Sequence, residues 1–234
     1  MEPVDLLVFG PHPDDIEIGL GGCVARHVDL GVRVGLCDLT AGEMGSNGTV
    51  EERLAEAEAA RAVLGAAWRV NLHWPDRGIR GAEHVRSAAA LIRQVRPRTV
   101  AIPYWSDRHP DHVDASRVLT EAAFDAGLRR IDLASEHWRP QRVCYYFIND
   151  SAEPSFVVDV SAAYERKRRA LACYASQFRP MGAGAVDTRL TSPRFQQLVE
   201  SRDAQFGALA GVAFAEGVVV RDPIVLPTLL MDRT

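Results

Sequence analysis

The chain has 234 residues, with 27 basic and 31 acidic side chains for a net charge of −4, and is 47% hydrophobic and 25% charged. That balance is typical of a folded domain and excludes a disordered chain, and the acidic excess argues against a nucleic-acid binder, which carries a strongly basic face. No apolar run approaches the ~20 residues that span a bilayer, Met1-Glu-Pro-Val-Asp5 is no signal peptide, and the four cysteines form no C-x-x-C pair. The expectation is therefore a cytoplasmic protein with free thiols and no membrane association.

In chain order, Val4–Phe9 is nearly all apolar and reads as a strand buried on both faces. A helix follows from about Pro13 to Leu30, stopped by Gly31, and then a second strand over Val32–Leu39. Thr49 and Glu52 have capping-box spacing, so a helix starts there and ends at Gly65. Val70–Leu72 is a short strand, Ala82–Val95 a helix, Thr99–Ile102 a strand and Pro110–Ala126 a helix ended by Gly127. This alternation predicts an α/β fold: a single doubly wound, Rossmann-like domain with a mostly parallel sheet. Beyond residue 140, Val143–Ile148 and Phe156–Val160 read as strands, Ala162–Ser176 and Phe195–Phe206 as helices, and Gly182-Ala-Gly184 as a loop between those helices.

Ligands of open α/β sheets bind beyond the carboxyl ends of the strands. Two strands here run into reactive sequences, Gly10-Pro-His12-Pro-Asp14-Asp15 and Asp107-Arg108-His109-Pro-Asp111-His112. Both loops should open on the same sheet edge, bringing carboxylates, three imidazoles and a guanidinium into one cleft. Acidic residues and prolines are ordinary in a first helical turn, but a cationic imidazole is unfavourable there. A bound metal, which keeps imidazole neutral, removes the conflict for His12, His109 and His112. Nitrogen and carboxylate ligands without thiolates suit Zn²⁺ well, with Fe²⁺ or another divalent ion as the alternative. Asp14 and Asp15 are adjacent and point in different directions, so one can ligate while the other faces a bound water.

A dinucleotide-binding oxidoreductase shares the βαβ order and the acid ending the second strand, Asp38. Its glycine fingerprint is missing from the first turn, where two acids would repel a pyrophosphate. Gly19, Gly21 and Gly22 fall inside the helix, where they permit close packing on the sheet. A purely structural zinc site would call for four ligands, usually with cysteines, and none lie near these loops.

His12-Pro-Asp-Asp15 followed by His109-Pro-Asp-His112 resembles the LmbE/PIG-L family of zinc-dependent N-deacetylases, which act on N-acetylglucosaminyl compounds. The likeness covers essentially the whole chain, read as one domain over residues 1–234. It implies one Zn²⁺ per chain held by His12, Asp15 and His112, with Asp14 as general base. It also implies that His109 stabilises the oxyanion or donates a proton, and that Asp111 orients His109. Ser46-Asn-Gly-Thr49, Glu52-Arg53, Asn71-Leu72, Pro75-Asp76-Arg-Gly78 and Tyr174-Ala-Ser-Gln-Phe178 further resemble the bacillithiol-pathway enzymes that deacetylate N-acetylglucosaminyl-malate. A thiol-conjugate amidase or a deacetylase of another N-acetylated sugar is the alternative within the family. Some relatives place a tyrosine before the last helix; here Arg194-Phe195 stands there, so no tyrosine is assigned a catalytic role.

Arg53 breaks a local rule, since a cation in a first helical turn costs about 0.3–1 kcal/mol, and such exceptions mark binding sites. The matching arginine of the family contacts substrate, and Arg108 is a second candidate of the same kind. The family also implies a small amino-sugar glycoside as the partner and homo-oligomers, often hexamers.

Overall fold

The computed structural model describes residues 1–181, 184–226 and 228. Its elements are β1 (Leu6–Gly10), α1 (Asp15–Asp29), β2 (Val34–Thr40), α2 (Val50–Leu64), β3 (Trp68–Trp74), α3 (Ala82–Val95), β4 (Thr99–Pro103) and α4 (Pro110–Ala126). There follow β5 (Arg142–Tyr146), β6 (Phe156–Asp159), a 3₁₀ turn at Ser161–Ala163, α5 (Tyr164–Ala172), α6 (Ala175–Phe178), α7 (Pro193–Ala210) and β7 (Ala215–Val219). The strands form one seven-stranded sheet in the order β3-β2-β1-β4-β5-β7-β6. Strands β1 to β5 run parallel, and β7 lies antiparallel to both β5 and β6. This is the doubly wound α/β architecture expected from the alternation of elements.

Successive side chains of a strand point to opposite faces, and β1 shows why its run is apolar throughout. Leu6 and Val8 enter a core with Ile16, Val24 and Tyr146, whereas Leu7 and Phe9 enter a second core with Ile92, Leu119 and Phe147. Helices α3 and α4 pack together on one side of the sheet, and α1, α2 and α5 pack on the other. The sheet order reverses between β1 and β4, and the crevice beyond the carboxyl ends of those strands is a topological switch point. The two reactive loops follow these two strands.

Local signals read from the sequence set several boundaries. Thr49 and Glu52 form the reciprocal capping box, and Gly65 ends α2 in the left-handed conformation. Gly19 lies where a Cβ would overlap the Tyr146 ring, so a side chain at this point would push α1 off the sheet.

The C-terminal third departs from expectation. The single helix expected over Ala162–Ser176 is a 3₁₀ turn followed by α5 and the one-turn α6, divided at Cys173–Tyr174. Strand β7 was not anticipated, and α7 extends the expected Phe195–Phe206 helix at both ends, with Ser192 capping it. Of the expected Gly182–Gly184 loop, Gly182 and Ala183 lie outside the described residues. Among the described residues, no helix is long and apolar enough to cross a membrane.

Candidate active site

The His12 and His109 ring centroids are 4.9 Å apart, and those of His109 and His112 are 4.7 Å apart, so the two loops do meet. Asp15 lies between two imidazoles: its Oδ2 is 3.0 Å from His12 Nδ1 and 3.3 Å from His112 Nε2, and it also accepts the His12 N–H at 2.9 Å. Ligand atoms in a tetrahedral site with bonds of 2.0–2.1 Å stand about 3.3 Å apart, close to the spacing that Asp15 Oδ2 keeps to each of these two ring nitrogens. Among the described residues, the groupings that bring three metal-capable atoms within 4.8 Å of one another are His12 with His109 and His112, and His12 with Asp76 and Asp111.

The outward ring nitrogens are held by carboxylates. His112 Nδ1 is 3.0 Å from Asp107 Oδ1, and His12 Nε2 is 3.3 Å from both Asp111 Oδ2 and Asp76 Oδ1. A carboxylate on the far nitrogen fixes the tautomer and aims the near nitrogen inward, the arrangement that supports a metal-ligating histidine. Burial disfavours charge on His112, but Asp15 and Asp107 push it up to about 9. His12 is likewise raised, by Asp111, Asp15 and Asp76 against burial. Burial works against the Asp15 carboxylate too, yet His112 and His12 hold it well below the usual range. Without a metal, protons hold these groups together; with one, the protons leave.

Asp14 is as buried as Asp15 but is held differently. It is the N-cap of α1 in a left-handed conformation (φ 109°, ψ −28°), which costs a non-glycine residue about 1–3 kcal/mol and recurs at functional sites. Its side chain caps nothing, is buried, and leaves Oδ2 with no hydrogen-bond partner. Burial pushes its pKa up to about 8, with the Arg53 charge pulling the other way. A buried carboxylate with no hydrogen bond at Oδ2 and a pKa near neutrality suits general-base work.

Arg53 is buried, not a solvated surface residue. It donates to Gly42 O at 2.8 Å and Pro13 O at 2.9 Å, and its Nη2 lies 3.6 Å from Asp14 Oδ2. Gly42 has φ 68°, and a Cβ there would collide with this guanidinium. Arg108 is exposed at the mouth.

Asp111 touches His109 through its main chain, and its carboxylate is engaged elsewhere. Its carboxylate accepts from Arg77 N–H at 2.8 Å and Arg77 Nη1 at 2.9 Å and faces His12; its main-chain N–H, not the carboxylate, donates to His109 Nδ1 at 3.2 Å. With Nδ1 accepting, neutral His109 carries its proton on Nε2. Burial and the neighbouring His112 and His12 lower its pKa, which keeps it neutral. Residues that the sequence reading left without roles complete the site: Asp76, Arg77, and Asn149, whose N–H and Nδ2 donate to Asp107 at 2.9 and 3.1 Å. The signal for Asp76 and Arg77 was the Pro75–Gly78 stretch; Asn149 follows β5 and carried none.

These residues open into a cavity of about 490 Å³, within the ordinary range for small-molecule sites. Its outer wall includes Ser46, Arg108, Gln177, Arg189 and Phe195. Asp38, the acid that a ribose would need in a dinucleotide site, is instead buried in a two-pronged ion pair with Arg69 at 2.7 Å.

Fold and site together define an α/β protein with a histidine–carboxylate centre suited to hydrolytic chemistry. Residues 7–123 match the family model "PIG-L: GlcNAc-PI de-N-acetylase". The chain is 31% identical over 229 residues to diacetylchitobiose deacetylase of Thermococcus kodakarensis, covering 91% of this chain and 81% of that protein. It belongs to the PIG-L family of de-N-acetylases. It is also 35% identical over 162 residues to a 1D-myo-inositol 2-acetamido-2-deoxy-alpha-D-glucopyranoside deacetylase of Catenulispora acidiphila, covering 54% of this chain and 53% of that one. Among solved structures, a conserved protein of Thermus thermophilus superposes with a TM-score of 0.89 at 38% identity, covering 98% of this chain and all of the other. A 4-carboxy-2-hydroxymuconate hydratase of Pseudomonas putida shares the fold at TM-score 0.80 and 21% identity, covering 98% of this chain and all of that one. The fold alone therefore does not dictate deacetylation.

Proposed function

We propose that this protein is a metal-dependent hydrolase that removes acetate from an N-acetylglucosaminyl compound, and that N-acetylglucosaminyl-malate of bacillithiol biosynthesis is its substrate. The observation that carries the reading is Asp14: a strained, buried carboxylate whose Oδ2 accepts no hydrogen bond, beside His12, Asp15 and His112. His12, Asp15 and His112 would hold the ion, with Zn²⁺ favoured by the nitrogen and oxygen donors. Such an ion lowers the pKa of a bound water towards about 7.

The chain's own residues then divide the remaining work. Asp14 accepts the proton of the attacking water. His109, neutral and protonated at Nε2, donates a hydrogen bond to the acetamide oxygen as negative charge develops, a contact worth about 2.7–4 kcal/mol in comparable sites. Having no second acidic proton to spare, His109 leaves Asp14 to pass its acquired proton to the departing amine. Asp107 and Asp111 keep His112 and His12 in the ligating tautomers.

The malate end of the substrate carries carboxylates, and Arg108 stands exposed at the mouth to receive one. Arg53 is proposed to contact substrate from below, but its ties to Gly42, Pro13 and Asp14 give it a second duty in shaping the base. Acetate release from N-acetylglucosaminyl-malate, N-acetylglucosamine, chito-oligosaccharides and bacillithiol conjugates tests the assignment. Arg108→Ala should raise KM for the malate glycoside by about 10- to 100-fold, the loss of a charged hydrogen bond of about 1.5–3 kcal/mol, and leave N-acetylglucosamine nearly unchanged. Arg53→Ala should lower kcat on both. Equal effects of Arg108→Ala on both substrates would remove the anionic aglycone from the proposal.

A further inference from the structure

Helix α1 is broken. Leu20 has φ −134° and ψ 17°, five residues after Asp15, and charged side chains take up main-chain groups on both sides of the break. Ile18 O accepts from Arg202 Nη2 at 2.8 Å, and the N–H groups of Gly22 and Cys23 donate to Glu216 at 2.9 and 2.6 Å. Arg202 comes from α7 and its guanidinium is buried. Its Nη1 reaches Ile148 O at 2.9 Å and Phe147 O at 3.2 Å, in the segment that follows β5. Its Nε donates to Asp203 Oδ1 at 2.9 Å, and Asp203 Oδ2 accepts from Lys167 Nζ at 2.6 Å. Lys167 also donates to Glu216 at 2.6 Å.

The two segments held by this one guanidinium carry the two halves of the site. Ile18 lies three residues beyond Asp15 on the short helical stretch before the break. Ile148 immediately precedes Asn149, which donates to Asp107, which in turn faces His112 Nδ1. We propose that Arg202 is a positioning residue that sets the spacing of Asp15 against His112, so that metal affinity depends on a side chain that touches neither ligand. The planar fork suits this role because it bonds three carbonyls and one carboxylate in fixed directions, which a lysine cannot reproduce. The inference rests on the reading of His12, Asp15 and His112 as the ligands.

Lys167 supplies the control. It is buried too and shares Asp203 with Arg202; it reaches α1 only through Glu216, beyond the break, and donates to none of the three carbonyls that Arg202 holds. Zn²⁺ dissociation constants, measured by competition with a chromogenic chelator, and urea unfolding midpoints of the metal-free proteins are compared for Arg202→Lys, Arg202→Gln and Lys167→Met. The expected result is a 10- to 100-fold weaker Zn²⁺ affinity in both Arg202 variants, the range seen when groups supporting metal ligands are lost. Lys167→Met should lower the unfolding midpoint at least as far while keeping Zn²⁺ affinity within about threefold. Parental affinity in whichever Arg202 variant folds, or losses that simply track stability across all three, would overturn the inference. Asp15→Asn, assayed alongside, separates the two layers: parental affinity there overturns the ligand assignment itself, not only the role of Arg202.

Discussion

Asp14→Asn should retain a full complement of metal and lose about 10²- to 10⁴-fold in kcat, the usual contribution of a positioned general base. The amide keeps the size and polarity of the carboxylate but accepts no proton. Because its side chain caps nothing and its Oδ2 accepts no hydrogen bond, the amide should disturb the fold little beyond weakening the 3.6 Å contact with Arg53. Asp15→Asn should fail differently. Its Oδ2 lies between His12 and His112, so replacing it removes an anionic donor, metal affinity falls, and excess metal restores part of the turnover. Metal analysis and turnover on both variants check the division of labour. Full metal in the Asp15 variant with lost metal in the Asp14 variant would reverse the two roles.

His112→Ala should bring the metal content well below one per chain and also change how the metal-free protein responds to pH. His112 is buried between Asp15 and Asp107, which push it up to about 9, above its ordinary value near 6.5. A group whose pKa is raised by folding gives stability that is fully present below its unfolded pKa and lost as pH rises through the folded one. The metal-free parent should therefore lose stability between about pH 6.5 and 9. That loss should be smaller in His112→Ala, which keeps the contribution of His12, and smaller again in the metal-loaded parent, whose imidazoles are already neutral. Urea unfolding at pH 6, 7.5 and 9 measures this. Undiminished metal stoichiometry in the variant would remove His112 from the site.

The site was legible because its chemistry is written in two short motifs, each at the junction of an apolar strand and a helix start. Once the alternation of elements placed β1 and β4 side by side, both motifs had to open on one edge. The parts that were not legible depend on partners distant in sequence. Strand β7 reads Ala-Glu-Gly-Val-Val, with an acid and a glycine that local propensity counts against it. Glu216 is tolerated there because Lys167, 49 residues earlier in the chain, neutralises it. Arg202 and Asp203 fall in a helix whose pattern gives no hint of an inward ion network. Arg53 was recognised as out of place, but its burial follows from Gly42 leaving room for the guanidinium. Asp111 meets His109 through its main-chain N–H and His12 through its carboxylate, a division that motif order does not reveal.

A metal-loaded centre of His12, Asp15 and His112, served by Asp14, is proposed to hydrolyse an acetamide. Acetate release from N-acetylglucosaminyl-malate is the most direct measurement, made on the protein as loaded with one Zn²⁺, after chelation, and after Zn²⁺ is returned. The loaded protein should release one acetate per free amine formed, lose turnover on chelation, and recover it on reloading. Turnover that persists in the fully chelated protein, or a loaded protein that releases no acetate from any N-acetylglucosaminyl compound, would contradict the proposal.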